Sequence, residues 1–475
     1  VEYFTVVDPW GSDGIDNNGN AAADESSENG FFTIYAFARN NGITRRAEVV
    51  YSGEDVNVWQ NAIFADVGQS GGKMKGNASI HGSVHILGRG IPEGDEVMEM
   101  IGTAFIHNNY AKTSGPALSG YLESRVPPLP TTTINGQSGQ ETLKATLRVR
   151  NGLVSLSGSA EVGLPEQSNG VKDTVDGTYV NDGWCGNKVS DDGERGDPSS
   201  VYSDNGWDEP YDLGDAVKMP KYDSEWRWPD GVQCYEYGGN YNESAGSTEL
   251  DGSGNEYSHI DFFKNVLANN KVYNGNVTIT SGTTYYLNLT RGGSNPNDRI
   301  KPNSASCIKG DTYIYYNKAT NVMEINGPIY INGNLSITGK NTINYTGRSA
   351  ILVTGNVTLQ TSLLTCNNGD PNNYNLSFPE KNCMGVMAGG DMLIGDKSQL
   401  DLCGAFYCQG TAKFNKQTVI MGSLVTSNFD MSEQVPDIYQ VPSLRWNLPL
   451  GMIGNYPVST MSAISWRELP IVGNN

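Results

Sequence analysis

The residues best placed to do chemistry lie near the start of the chain. In the stretch GSDGIDNNGNAAADES, residues 11 to 26, carboxylates or side-chain amides stand at 13, 16, 17, 18, 20, 24 and 25. Ca²⁺ takes six to eight hard oxygens, supplied at alternating positions by a loop that small residues allow to curl. Asp16, Asn18, Asn20 and Asp24 occupy positions 1, 3, 5 and 9 of such a loop, and Asp13 adds another oxygen donor. The match to an EF-hand then fails, because Ala21 stands where Gly is needed and Ser27 where a bidentate Glu is needed. The spacing points to a weak calcium site of extracellular type, with Kd about 10⁻⁴ to 10⁻³ M. The alternative is an Asx-rich turn, which favours the same residues for backbone hydrogen bonding. A second acidic group, SDNGWDEPYDLGD at 203–215, is spaced more loosely. Asp204, Asp208 and Asp212 are its candidate ligands, beside Glu209 and Asp215, and a solvated acidic loop is the competing reading.

Catalytic chemistry finds little support. No GxSxG, HExxH or P-loop occurs. His81 and His85 are four apart in a strand-like context, where they read as outward-facing polar positions. Asp391, Asp396 and Asp401 could serve as the paired carboxylates of a polysaccharide-cleaving enzyme, but they read better as edge residues of a repeat. Trp226, Trp228, Tyr235, Tyr237 and Tyr241 offer an aromatic surface for glycans, or else the small core of their own segment.

Seven cysteines are present, none in a CxxC pattern, so zinc ribbons are not indicated. For an exported chain the default is disulfides with one thiol left over. Cys366 and Cys383, flanking a polar loop, are the first candidate pair, and Cys185 with Cys234 the second.

The elements that must position these groups follow from composition and repeats. Lys and Arg number 32 against 52 Asp and Glu, a net charge of −20, which argues against nucleic acid and against an anionic membrane surface. There are 57 glycines, and long helical patterns are nearly absent, the vocabulary of a turn-rich all-β protein. No apolar run is long enough to span a membrane. A first residue of Val reads as a processed or trimmed start, with any leader outside the sequence.

In the second half, IYINGNLSITG (from 329), ILVTGNVTLQ (from 351), VMAGGDMLIG (from 386) and FYCQGTAKFN (from 406) share one phrase. An apolar run meets a glycine, a small or polar residue follows, and then apolar and polar positions alternate. The glycines at 333, 355, 389 and 410 are separated by 22, 34 and 21 residues, and the long interval contains a polar excursion around CNNGDPNNYNLSFPEKNC. A period near 22 with strand-like alternation predicts a parallel β-helix over about 320–430. The phrase returns at GNVTIT (275) and GNASIHGSVHILG (76), so the solenoid is expected to begin near 60. NxS/T sequons at Asn276, Asn334 and Asn356 fall inside the repeats and read as compositional.

The expected organisation is an acidic loop and β-hairpin over 1–60, a β-helix over 61–430 and an extended tail over 431–475. A loop-rich insertion interrupts the helix at about 165–255. The hairpin joins Phe31–Ala38 to Ile43–Tyr51 through Asn41-Gly42. SHIDFFKNVLANN, 258–270, is the credible helix, with Ser258 as N-cap. Its expected role is to cover an open sheet edge.

TLKATLRVRNGLVSLSGSAEVG (142–163), KDTVDGTYVNDGW (172–184), VYSDNGWDEPYDLGDAVKMP (201–220), VPDIYQVPSLRWNLPLGMIG (435–454) and ISWRELP near the end resemble bacterial pilus assembly proteins of the PilX type. The resemblance covers most of the chain. It implies an exported, cell-surface or pilus-associated protein without catalytic activity, whose partners are other pilus or filament subunits, including copies of itself. Family members begin with a prepilin-like hydrophobic helix, which this sequence lacks. The residues and the resemblance together predict a non-enzymatic, extracellular structural protein, with glycan adhesion or polysaccharide cleavage as the alternatives.

Overall fold

In the computed structural model the described residues are 2–9, 31–40, 43–69, 74–76, 79–111, 118–167, 170–190, 197–229, 246–301, 310–395, 399–431, 436–456 and 458–469. Strand occupies 48% of the chain and helix almost none, so the all-β expectation holds. The chain forms two compact units. The first comprises Val1–Val56, Asp215–Val217 and Pro457–Asn475, the second Asn57–Gly214 and Lys218–Tyr456.

The first unit is a four-stranded antiparallel sheet in the order Glu2–Pro9, Phe31–Asn40, Ile43–Val56, Val458–Leu469. Asn40 pairs with Ile43, which leaves two residues for the hairpin turn. The last strand comes from the far end of the chain, with Val458 opposite Val56 and Leu469 opposite Arg46.

The second unit is built from short strands stacked as rungs in parallel register. One ladder runs from Val272–Asn274 to Ile329–Asn332, Ile343–Val353, Cys383–Ala388, Leu400–Phe414 and Thr418–Asp430. It continues through Ile63–Gln69, Val84–Ile86, Thr146–Val149 and Gly177–Val180. Its central strands are mostly buried, and CMGVMA is buried at every position. A parallel ladder covered on both faces requires that, because neither set of side chains reaches water. A second ladder, through Val277–Thr280, Leu335–Thr338, Val357–Gln360 and Met392–Ile394, alternates buried positions with half-buried or exposed ones and so faces water on one side. A third joins Val322–Asn326, the start of Ile343–Val353, Leu363–Thr365 and Thr418–Asp430 to Asp437–Tyr439, Ser79–His81 and Phe105–His107. The outermost strand on that side, Tyr285–Asn288, hangs on through the antiparallel Tyr313–Asn317.

The order of rungs in space differs from their order in sequence. Ile63 stacks on Leu424 and Ser79 on Asp437, so the rungs after residue 60 continue the pile that ends near 439. The chain enters at the middle of the stack, builds to one end by about 203, crosses to the other end, and builds back. The joint is fastened by Trp59, whose Nε1 donates to the Ile453 carbonyl (2.7 Å). The segment from 431 is therefore no loose tail. It supplies the rung Asp437–Tyr439 and the 3-10 turn Pro442–Trp446, and the stretch to 453 is largely buried.

The region read as an insertion at 165–255 has two roles in the described residues. Its first part completes the last rung, where Val201 bridges Val162 and Ser203 bridges Val175. Its later part is the return strap over the first ladder's outer face. Tyr211 meets His85, the Tyr407 hydroxyl donates to the Pro220 carbonyl (2.7 Å), and the Tyr222 hydroxyl donates to the Val353 carbonyl (3.2 Å). The helical turn His259–Phe262, capped by Ser258, leads into a π-turn at Phe263–Leu267. Phe263 packs on Tyr330, so this element covers the ladder's face rather than a sheet edge.

The repeating glycine stands at a corner between ladders. The Gly355 amide donates to the Gly333 carbonyl, Gly390 to Gly355, and Gly410 to Gly390. Beside each runs an asparagine ladder. Asn276 Oδ1 accepts from the Asn334 amide, Asn334 Oδ1 from Asn356, Asn356 Oδ1 from Asp391, and Asp391 Oδ1 from Thr411, at 2.8 to 3.0 Å. The side-chain oxygen occupies the space a Cβ would need: one built on Gly355 would lie 2.3 Å from Asn334 Oδ1, and one on Gly390 2.1 Å from Asn356 Oδ1. The column glycine of the third repeat is thus Gly390, one residue beyond the one the spacing selects. Three of the sequons are this ladder.

Gly355→Ala is expected to lower stability by about 2 kcal/mol and Asn334→Ala by about 1 kcal/mol. The double variant should lose less than the sum, because the alanine methyl and the amide contest one space. Urea titration of the three variants measures this.

Candidate functional site

The candidate residues separate into distinct groups when placed on this frame. Asp13, Asp16, Asn18, Asn20 and Asp24 lie outside the described residues, as do Asp396, Cys234, Tyr235, Tyr237 and Tyr241.

The second acidic group caps the stack. Asn205 Oδ1 accepts from the Thr178 amide (2.8 Å) and its Nδ2 donates to the Thr178 carbonyl (3.1 Å). The Glu209 carbonyl accepts from the Val180 amide, and Trp184 Nε1 donates to the Trp207 carbonyl. Backbone groups of the last rung that would face open water are satisfied this way. Two of the acidic side chains are ion-paired. Asp212 takes a two-point contact from Arg148, Nε to Oδ1 at 3.0 Å and Nη2 to Oδ2 at 2.9 Å. Asp204 and Asp176 both receive Lys172 Nζ at 2.6 Å. Burial works against the Lys172 charge, yet these two carboxylates hold its pKa above the ordinary lysine value. Cations contributed by earlier rungs thus neutralise Asp204 and Asp212, and Asp208 joins no metal-binding cluster. Among the described residues no group of three or more His, Cys, Asp or Glu is placed to hold a metal ion. Sequence spacing missed Arg148 and Lys172, because their partners are more than thirty residues away except for Asp176.

His81 and His85, expected on the outside, are buried, as are His107 and His259. His81 is sandwiched between Tyr439 (4.2 Å, 9°) and His107 (4.5 Å, 20°), one ring per rung across the joint. Its Nδ1 lies 2.6 Å from the Asn109 carbonyl. His85 stands in register with Arg148, against Phe64 and the Tyr211 hydroxyl. Burial, then the Arg148 charge, pushes its pKa down to about 3. His259 is held down to about 4 by burial, with Nε2 2.9 Å from the Gly451 carbonyl.

Two of the three candidate catalytic carboxylates are described. Asp391 belongs to the asparagine ladder, and Asp401 accepts the Tyr121 hydroxyl. Two members of the aromatic group, Trp226 and Trp228, are described. Trp226 and Trp228 are each 1% exposed and pack on Phe262, so they form the strap's own core.

Among the described residues no disulfide forms. Cys185, Cys366, Cys383, Cys403 and Cys408 are thiols. The excursion between Cys366 and Cys383 is closed by hydrogen bonds instead: Asn367 N to Asn373 O at 2.6 Å, and Asn382 Oδ1 accepting from the Gly347 amide at 2.7 Å. Arg125, buried, braces it from outside through its Nε donation to Thr365 O and its stacking 4.2 Å over Tyr374. Burial raises the Cys366 thiol to about 11 and Cys403 and Cys408 to about 12, which suppresses the reactive thiolate.

The surface also carries open backbone and exposed apolar side chains. In the first unit both outer strands pair on one side only among the described residues. Val6, Val7 and Trp466 on those strands are 48%, 59% and 67% exposed, a sheet edge of the kind that accepts another strand.

No protein-family model matches the sequence, and no curated protein matches it. A solved structure does match: the competence-associated pilin ComZ from Thermus thermophilus, at 18% identity and a TM-score of 0.51, over 98% of this chain and 87% of that one. At that identity the likeness is one of fold.

Two outcomes are expected. Stability should fall as pH drops below about 6.5, since His85 and His259 are neutral in the folded state and the unfolded chain takes up the protons. Each contributes a slope of about 1.4 kcal/mol per pH unit until its depressed pKa is reached. His85→Gln should flatten the denaturation-versus-pH curve. Native protein at pH 8 should leave Cys366, Cys403 and Cys408 unmodified by iodoacetamide, and unfolding should expose all three to alkylation, as read by mass spectrometry.

Proposed function

We propose that the chain is a non-enzymatic structural subunit of a bacterial pilus or related surface filament, with residues 57–456 winding as a parallel β-helix. The observation that carries this is the fold likeness to a pilin over nearly the whole of both chains. The PilX-like phrases support the same reading, and so does the use of the histidines, described cysteines and acidic cap in packing and ion pairs. The parallel in-register ladders and the glycine corner support the β-helix, since each rung is too short to shelter its apolar side except against the next. On this reading the protein lies outside the cell or on its surface. Its partners are other filament subunits, which the open strands of the first unit would meet by adding a strand. A stiff stacked body and an acidic surface suit a component that must stay extended and soluble.

The test is localisation and dependence. Antibody against residues 57–456 should label surface filaments by immunogold microscopy and co-purify with sheared filaments. Val7→Lys, which places a charge on the outer strand, should reduce incorporation severalfold while leaving the folded body unchanged by circular dichroism. Exclusive recovery from the cytoplasm, or filaments of normal number and composition in a deletion strain, would sink the proposal.

A further inference from the structure

The two ends of the stack are finished differently. At one end the segment 203–209 satisfies the last rung, and five carboxylates stand within 204–215. At the other end the final rung is Val272–Asn274 and Val277–Thr280. Each of these strands pairs only with the rung above it among the described residues. The amides of Gly275, Val277 and Ser281 donate upward, to Asn332, Asn334 and Thr338. Residues alternate along a strand, so the N–H and C=O groups of Val272, Asn274, Asn276 and Thr278 point away from the stack. Asn274, Asn276, Thr278 and Thr280 are exposed.

A row of outward donors and acceptors this long invites pairing, and natural edges are normally guarded by lysine, proline or a bulge. None is present: no charged residue and no proline lies between Lys271 and Arg291. In a chain of net charge −20, copies repel one another across most of their surface. The row itself carries no charge to add to that repulsion.

We propose that this end is a homodimer surface, on which a second copy of the chain docks through the Val272–Thr280 row about a two-fold axis. The occupant is a second copy in the same orientation because the opposite end is closed by its own cap and carries negative charge, which disfavours head-to-tail stacking. A two-fold arrangement also sets the facing strands antiparallel, the more stable pairing. The result is a closed dimer and not an open fibre. The inference stands on the geometry of this end and does not depend on the filament reading.

Sedimentation velocity of the full chain over a wide concentration range tests it. A monomer–dimer equilibrium is expected, strengthened by added salt as the mutual repulsion is screened. Thr278→Lys, at an exposed position, should weaken the dimer about tenfold or more, because the axis brings two like charges together. Thr278→Pro should do the same by removing an outward N–H that the fold does not use. Val7→Lys should leave the dimer intact. In hydrogen exchange, the amides of Asn274, Asn276 and Thr278 should gain protection as concentration rises, a readout that needs no variant. A chain that stays monomeric at every concentration and salt would overturn the proposal. So would a dimer that ignores both Thr278 variants, or one lost only in Val7→Lys, which would move the contact to the first unit.

Discussion

The whole of the second unit depends on in-register parallel pairing between rungs. A segment such as Leu335–Thr338 has too few residues to bury its own apolar side, and a lone parallel pair is worth little. Stacked, Val277, Leu335, Val357 and Met392 fall on one line and cover each other completely. Register is therefore the quantity to be defended, and the glycine–asparagine corner defends it. Each side-chain oxygen sits in the void left by the next glycine, so a slip by one residue would drive a Cβ into an oxygen and leave an amide without an acceptor.

That constraint explains the chain's path. Rungs can only be added at an open edge, and this chain has its first and last rungs side by side in the middle of the pile. The strap over Tyr407, Val353 and Tyr330 does double duty: it carries the chain between ends and makes the first ladder a two-sided core. The joint is filled by stacked rings, Tyr439 on His81 on His107, where the repeat's aliphatic residues give way to flat ones.

Residue types that usually announce chemistry are absorbed into this frame. Four histidines, the described cysteines, Asp391 and two tryptophans are interior or paired, and Arg148 and Lys172 neutralise the acidic cap. Main-chain edges and a few exposed apolar side chains are among the groups left to meet other molecules. The fold is shared with a pilin.

Local pattern was readable in the sequence where the physics is local. The hairpin at 31–56, the Ser258 cap and the repeating phrase at 333, 355 and 410 depend on neighbours or on the glycine's own backbone, and they stand where the spacing puts them. The all-β character follows from the same residues. Three things were decided only by the tertiary structure. Ile63 stacks on Leu424 because the pile must be continuous, although nothing within either segment names the other. Asp204 and Asp212 became counterions because rungs more than thirty residues earlier bring Lys172 and Arg148 to them. His81 and Trp226 turned inward because the joint and the strap cover faces that a single strand would leave to water. Periodicity tells a chain how to pair with the next rung, while the identity of that rung, and the fate of any polar group at its edge, rests on contacts the linear order does not contain.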